Sequence, residues 1–157
     1  MRIGFSRDIH RLVSDRELIL GGVNIPYSKG LLGHSDADVI YHVVAEAIYG
    51  ALNKGDLGTN FSDKDAKNKD LDSALIVKDA VTKMKNVNFE VANIDILVVL
   101  EEPKLSPYLP KMQENIAKLI ETSISNVSIK ASTNEGIDEV GNKNAIIAYA
   151  IVLLKSN

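Results

Sequence analysis

The sequence predicts an α/β sandwich, a mixed β-sheet covered by helices on one face, and three observations carry that prediction. Strand-like and helix-like hydrophobic periods alternate along the chain. Ile94–Leu100 and Ala145–Leu154 are largely apolar on both faces, so each must be covered on both sides. The 157 residues are 45% hydrophobic and 25% charged, the proportions of one ordinary domain over 1–157. Helices are expected to cover one face of the sheet and another subunit the other.

The elements follow in order. Residues 1–11 (MRIGFSRDIHR) form a strand with a glycine at 4, and 17–25 form a short hairpin region broken by Gly21-Gly22. Pro26 to Gly33 reads as a loop. From Asp36 the period changes: Val39, Ile40, Val43, Val44, Ala47, Ile48, Ala51 and Leu52 recur at helical spacing, with Ser35 or Asp36 as the N-cap. Residues 53–72 are a polar loop, long enough to expect a functional role. A second helix covers Ser73 to Lys85, a strand 90–101, and a third helix runs to about Thr122 after Pro103, Pro107 and Pro110. Residues 126–133 and 143–155 are the last strands.

Composition excludes several classes. A net charge of −3 argues against a general nucleic-acid binder, which needs a basic face for phosphates. With no cysteine, disulfides, thiolate metal sites and thiol nucleophiles are absent. No apolar run reaches the length of a membrane span. Met1 leads straight into a strand without a signal-peptide pattern, so the expected location is the cytoplasm, or a plastid-type stroma for a chain that has lost a leader.

The only histidines are His10, His34 and His42. Asp8 and His10 are two apart on a strand and therefore share a face. His42 lies in the first helix, at or beside its polar face, one turn from Asp38 and from Glu46. Two imidazoles and a carboxylate suit Zn²⁺ with a fourth position open, and Asp38 or Glu46 could orient His42 through its other nitrogen. The bland alternative is a surface histidine and a chance Asp-x-His pair. His34-Ser35-Asp36 opens the helix, where unpaired N–H groups favour a phosphate, or where Ser35 simply caps. Ser132-Thr133-Asn134-Glu135 ends a strand beside Lys130. These oxygen ligands suit Mg²⁺ shared with a diphosphate, or serve as ordinary turn chemistry.

Taken together, DIHR at 8–11, GLLGHSDADVIYH at 30–42, GDLG at 55–58 and EEPKL at 101–105 resemble the 2-C-methyl-D-erythritol 2,4-cyclodiphosphate synthase family of the non-mevalonate isoprenoid pathway. The resemblance implies a homotrimer with active sites between subunits. It implies a lyase-type cyclisation of a CDP-linked methylerythritol 2-phosphate, releasing CMP. Zn²⁺ would be held by Asp8, His10 and His42, with a substrate phosphate oxygen as the fourth ligand, and Mg²⁺ or Mn²⁺ would contact Glu135. His34 and Thr133 would stabilise the transition state and Ser35 would hold phosphate. Asp56 and Gly58 would meet the sugar, and Phe61 to Asp65, including Asp63, would line the loop above it. Leu100 to Ser106, with Lys104 and Leu105, would form a cytosine pocket largely through backbone, with Ser132 nearby.

Some positions depart from the family pattern. Ser6 replaces a usual glycine and Glu46 an aspartate. Glu139, Asn142 and Tyr149 replace an aromatic, an arginine and a glutamate of a cavity on the trimer axis. Weak or absent binding of isoprenoid diphosphates on that axis is therefore expected, with Lys143 facing away on a strand. Two rival readings remain: a metal-dependent phosphohydrolase, and a trimeric metal- and nucleotide-binding protein without turnover.

Overall fold

In a computed structural model describing residues 1–61 and 71–156, β1 (Arg2–Ser14) is the strand on which the rest is assembled. It pairs antiparallel with β7 (Ala145–Ser156), from Arg2 opposite Leu154 to Arg11 opposite Ala145. On the far side of β7 runs β5 (Phe89–Val99), antiparallel to it, and β6 (Val127–Ser132) follows parallel to β5. β4 (Lys29–Leu31) pairs with the end of β1, giving the mixed order β4-β1-β7-β5-β6. β4 corrects the expectation of a loop over Pro26 to Gly33. Three residues are too few for an alternating pattern, and Gly30 fits there because an added Cβ would lie 2.1 Å from Glu17 O. β2 (Leu18–Leu20) and β3 (Val23–Ile25) form the expected hairpin around Gly21 and Gly22, both at positive φ.

The helices α1 (Val39–Ala51), α3 (Ser73–Lys85) and α4 (Leu109–Leu119) pack over one face. Single turns, α2 (Leu57–Asn60) and α5 (Asp138–Gly141), interrupt the loops. α3 has the predicted span, with Asp72 as its cap. α4 stops before Thr122. α1 begins later than expected, because Asp38 and not Ser35 or Asp36 is its N-cap. The Asp38 carboxylate is fully buried and accepts from Ile40 and Tyr41 N–H as well as from Gly21 N–H (2.9 Å) and Gly22 N–H (2.7 Å). Burial pushes its pKa up to about 6, against the pull of those backbone donors.

Side-chain alternation divides β1 cleanly. Gly4, Ser6, Asp8, His10 and Leu12 face the helices, while Ile3, Phe5 and Ile9 lie on the opposite face, 71%, 61% and 41% exposed. Leu97, Val99, Ile147, Tyr149 and Ile151 continue that second face across the sheet. The sequence expectation that one face needs another cover is thus matched by a large apolar surface that no helix among the described residues covers, apart from Val140 of α5 over Val99 and Ile147. No helix among the described residues is long and apolar enough to cross a membrane.

α1 rides directly on β1 at Gly4, where an added Cβ would sit 1.9 Å from Ala47 O. Backbone, not a flexible side chain, is what it would strike. Gly4→Ala should therefore lower stability by about 2 kcal/mol or more in urea denaturation. A variant as stable as the parent would show that the helix can lift without cost.

Candidate metal centre

The contact at Gly4 sets α1 above β1 so that His42 hangs over the pair Asp8 and His10. Asp8 Oδ2 lies 3.0 Å from His10 Nε2 and 3.0 Å from His42 Nδ1, and the two ring nitrogens are 3.2 Å apart. One ligand atom from each of the three residues fits within 4.8 Å of the others. His42 is buried, 7% exposed, which corrects its expected place at the polar edge of the helix. Nearly every side chain of α1 is buried, because the helix lies between the sheet and α3.

The ring of His10 is fixed by its other nitrogen. Nδ1–H donates to Leu32 O at 2.7 Å, and a carbonyl only accepts, so Nε2 carries the lone pair. That lone pair, the Asp8 carboxylate and His42 Nδ1 converge, and a single proton on His42 Nδ1 could satisfy only part of the set. Two imidazole nitrogens and a carboxylate oxygen converging on one point make a donor set suited to a divalent cation. Burial raises the Asp8 pKa, but the hydrogen bonds and charge of His10 and His42 more than offset it and hold the carboxyl well below the usual range. That pull comes from positive charge on the two rings, and a divalent cation held among the three groups would keep Asp8 ionised in the same way.

The outer partners differ from those expected. Asp38 caps the helix and Glu46 turns away, so neither orients His42. Its Nε2 instead faces Ser73 Oγ (3.1 Å) and Ser35 Oγ (3.3 Å). Sequence reasoning does not find Ser73 as a site residue. It lies 31 residues beyond His42, and nothing local marks it. Glu46 is engaged elsewhere, its Oε2 accepting from Ser6 Oγ–H at 2.6 Å and its Oε1 from Leu57 N–H at 3.2 Å. Ser6 and Glu46 thus touch each other.

A cavity of about 200 Å³ opens beside the triad, lined by His10, Gly33, His34, Ser35, His42, Leu57, Phe61, Leu71 and Ile76. His34, Ser35 and Phe61 thus share this cavity with His10 and His42. Asp56 caps α2 through Thr59 N–H and Oγ1–H, with Gly58 in the same turn. Asp63 and Asp65 fall outside the described residues. A larger groove of about 1040 Å³, lined by Asp36, Tyr41 and residues of α3 and α4, contains none of the three ligands.

The second predicted group is held elsewhere. Thr133 Oγ1–H donates to Glu135 Oε1 at 2.9 Å, and Glu101 Oε1 accepts from Asn134 and Gly136 N–H, fixing the turn that presents Glu135. Leu100 to Ser106 runs alongside, with a cis Glu102-Pro103 bond, Leu100 and Leu105 buried, Lys104 and Ser106 exposed, and Leu100 N–H donating to Ser132 O. In register, Asp8 is opposite Ala148, Ala148 opposite Val98, and Val98 opposite Ala131. Three inter-strand steps, roughly 14 Å, thus separate β1, which carries Asp8 and His10, from β6, which leads into Thr133, within one chain. Lys143 is not on a strand. It follows α5 at positive φ and pairs with Glu102 at 2.6 Å, because α5 takes up residues expected to lead into β7.

The chain matches the model of the YgbB family over residues 1–155. It is 45% identical over 155 residues to the 2-C-methyl-D-erythritol 2,4-cyclodiphosphate synthase of Carboxydothermus hydrogenoformans, covering 99% of this chain and 95% of the relative. It is 48% identical over 154 residues to the enzyme of that name from a Geobacillus species, covering 98% of each. Among solved structures, the bifunctional IspDF of Campylobacter jejuni matches with a TM-score of 0.95 and 36% identity, over 99% of this chain and 42% of that one. The CDP complex of IspF from Plasmodium falciparum matches with a TM-score of 0.88 and 33% identity, over 99% and 96%.

The Ser6–Glu46 contact is testable alone. Ser6→Gly should cost about 2 kcal/mol, since a half-buried carboxylate loses a donor. Adding Glu46→Asp should cost less than it does in the parent background, a coupling that a double-mutant cycle reads directly. Strict additivity would show that the two side chains do not depend on each other.

Proposed function

The chain belongs to the YgbB family, and we propose that it closes the ring of 2-C-methyl-D-erythritol 2,4-cyclodiphosphate from a CDP-linked methylerythritol 2-phosphate. The observation that supports this best within the chain is the convergence of Asp8, His10 and His42 beside the His34-Ser35 cavity. An oxygen of the 2-phosphate attacks the β-phosphorus. The bond from that phosphorus to the bridging oxygen of the α-phosphate breaks, and CMP leaves. The nucleophile is already an anion, so the chain needs no strong general base. What the protein must do is hold two charged phosphates in line.

Asp8, His10 and His42 would hold Zn²⁺, and Glu135 a Mg²⁺ or Mn²⁺. The metals, when bound, supply positive charge where phosphate charge gathers. His34 reaches the same cavity from the segment before α1, and Ser35 presents its hydroxyl there to a phosphate oxygen. Thr133 and Glu135 belong to the same reaction from the end of β6. Asp56, Gly58, Phe61, Asp63 and Asp65 would contact the sugar portion, and Leu100 to Ser106 with Ser132 the cytosine.

The separation of β1 from β6 favours a site completed by a neighbour. The uncovered apolar face, with Ile3, Phe5, Ile9 and Ile151, supplies the surface on which copies would associate, and the reading is a homotrimer. Phosphorus NMR of the purified protein with the CDP-linked substrate and Mg²⁺ should reveal CMP and a cyclic diphosphate. Free phosphate would instead support a hydrolase, and no reaction a binding protein. His42→Ala should lose metal and turnover together while α1 persists, because alanine is a good helix former. Mixing His42→Ala subunits with Thr133→Ala subunits should restore partial activity. Uniformly inactive mixtures, with subunit exchange demonstrated, would oppose the shared site.

Asn142 caps α5, Glu139 accepts from Asn144 Nδ2–H, and Lys143 is engaged by Glu102. Tyr149 lies on the open sheet face. None of these offers a guanidinium to a diphosphate. Calorimetry with geranyl diphosphate should therefore detect weak or no binding away from the metal centre, and tighter binding by Asn142→Arg. Micromolar binding by the parent would contradict this.

A further inference from the structure

The geometry points to Ser73 and Asp36 as positioning residues for the metal centre: Asp36 takes the Ser73 hydroxyl proton, so that Ser73 Oγ accepts Nε2–H of His42 and leaves Nδ1 as the ligand nitrogen. The inference rests on reading Asp8, His10 and His42 as metal ligands.

Ser73 is fully buried at the start of α3, and its Oγ has three polar neighbours. Asp36 Oδ1 is in very close hydrogen-bond contact, Ser35 Oγ is 3.4 Å away, and His42 Nε2 is 3.1 Å away. A hydroxyl has one proton to give, and a carboxylate is the strongest acceptor of the three. With that proton committed to Asp36, the remaining lone pairs of Ser73 can only accept. His42 Nε2 must then be the donor. Asp36 is itself held in place, its Oδ2 accepting from Ser73 N–H and its Oδ1 from Asp38 N–H, while its own N–H donates to Leu71 O. Ser35 Oγ is a poorer choice for His42, being farther away and already accepting from Ala37 N–H at 3.0 Å.

The consequence concerns the tautomer of His42. The alternative form carries its proton on Nδ1, 3.0 Å from Asp8 Oδ2, where it would make a good hydrogen bond and block the ligand position. His10 is protected from this by a backbone carbonyl, which cannot donate. His42 has only hydroxyls, which can do either. The Asp36 carboxylate removes that ambiguity by fixing the direction of the Ser73 hydroxyl. Outer partners of this kind orient the imidazole and raise its basicity toward the metal.

Competition for Zn²⁺ with a chromophoric chelator, at fixed pH on the purified protein, tests this without turnover. Ser73→Ala should weaken zinc binding by about 10- to 100-fold, and Ser73→Thr, which keeps the hydroxyl, should recover most of the loss. Asp72→Ala removes the N-cap of the same helix without touching His42 and should leave zinc affinity unchanged, even where the metal-free protein melts at a lower temperature. Parent-like affinity in Ser73→Ala would overturn the inference. So would equal weakening in Asp72→Ala, or equal weakness in the alanine and threonine variants. A parent protein that binds no zinc would overturn the metal centre itself and this inference with it, a result distinct from a parent and Ser73→Ala that bind equally well.

Discussion

The close packing of α1 on β1 is the constraint on which the rest depends. A helix normally stands off a sheet by the length of its side chains, about 10 Å between axes. At Gly4 no side chain intervenes, and the carbonyl of Ala47 meets the strand backbone. Further along the same two elements, the helix-facing row of β1 runs Gly4, Ser6, Asp8, His10, Leu12. Ser6 meets Glu46, and Asp8 and His10 meet His42, as if read off two facing rulers. Lifting the helix at one point would open both contacts together.

Electrostatics then decides what the row can do. A half-buried carboxylate facing a histidine pair is costly unless something positive sits between them. The chain supplies one ring whose tautomer is dictated by Leu32 O and a second that is presented by serine hydroxyls. The arrangement is prepared for a cation and poorly suited to an apolar core. The polar groups of the Thr133 turn are prepared by different means, with Glu101 holding two backbone N–H groups so that Glu135 projects at positive φ. The two polar clusters thus have separate scaffolds, one on either side of the β7–β5 pair.

Much of this is legible in the sequence, for identifiable reasons. Asp8 and His10 share a face because strand residues alternate, and α3 has the expected span because Ala74, Val77, Ala80, Val81 and Met84 recur at helical spacing. β4 escapes detection because three residues carry no period. The start of α1 is ambiguous because Ser35, Asp36 and Asp38 are all good caps, and only tertiary contact with Gly21 and Gly22 chooses among them. The burial of His42 is hidden because a helix covered on several sides has no polar edge to read. Ser73 is invisible because its role arises only where two helices meet. The contact between Ser6 and Glu46 leaves a trace, since both residues depart from the expected pattern: Ser6 adds a hydroxyl, and Glu46 extends its carboxylate by one methylene.

The buried carboxylate of Asp38 has a further consequence, for how the molecule acquires its shape. Its acceptor sites are divided between the first turn of α1 and the glycine turn of the 18–25 hairpin. Neither partner alone would justify removing that charge from water. The hairpin and the helix are only 17 residues apart at this joint, so the loop to be closed between them is short and its entropic cost small. Their ordering is therefore coupled. His42 is mounted on the helix at this joint, whereas the pairing of β1 with β7 joins residues 2–11 to residues 145–154 and closes a far longer loop.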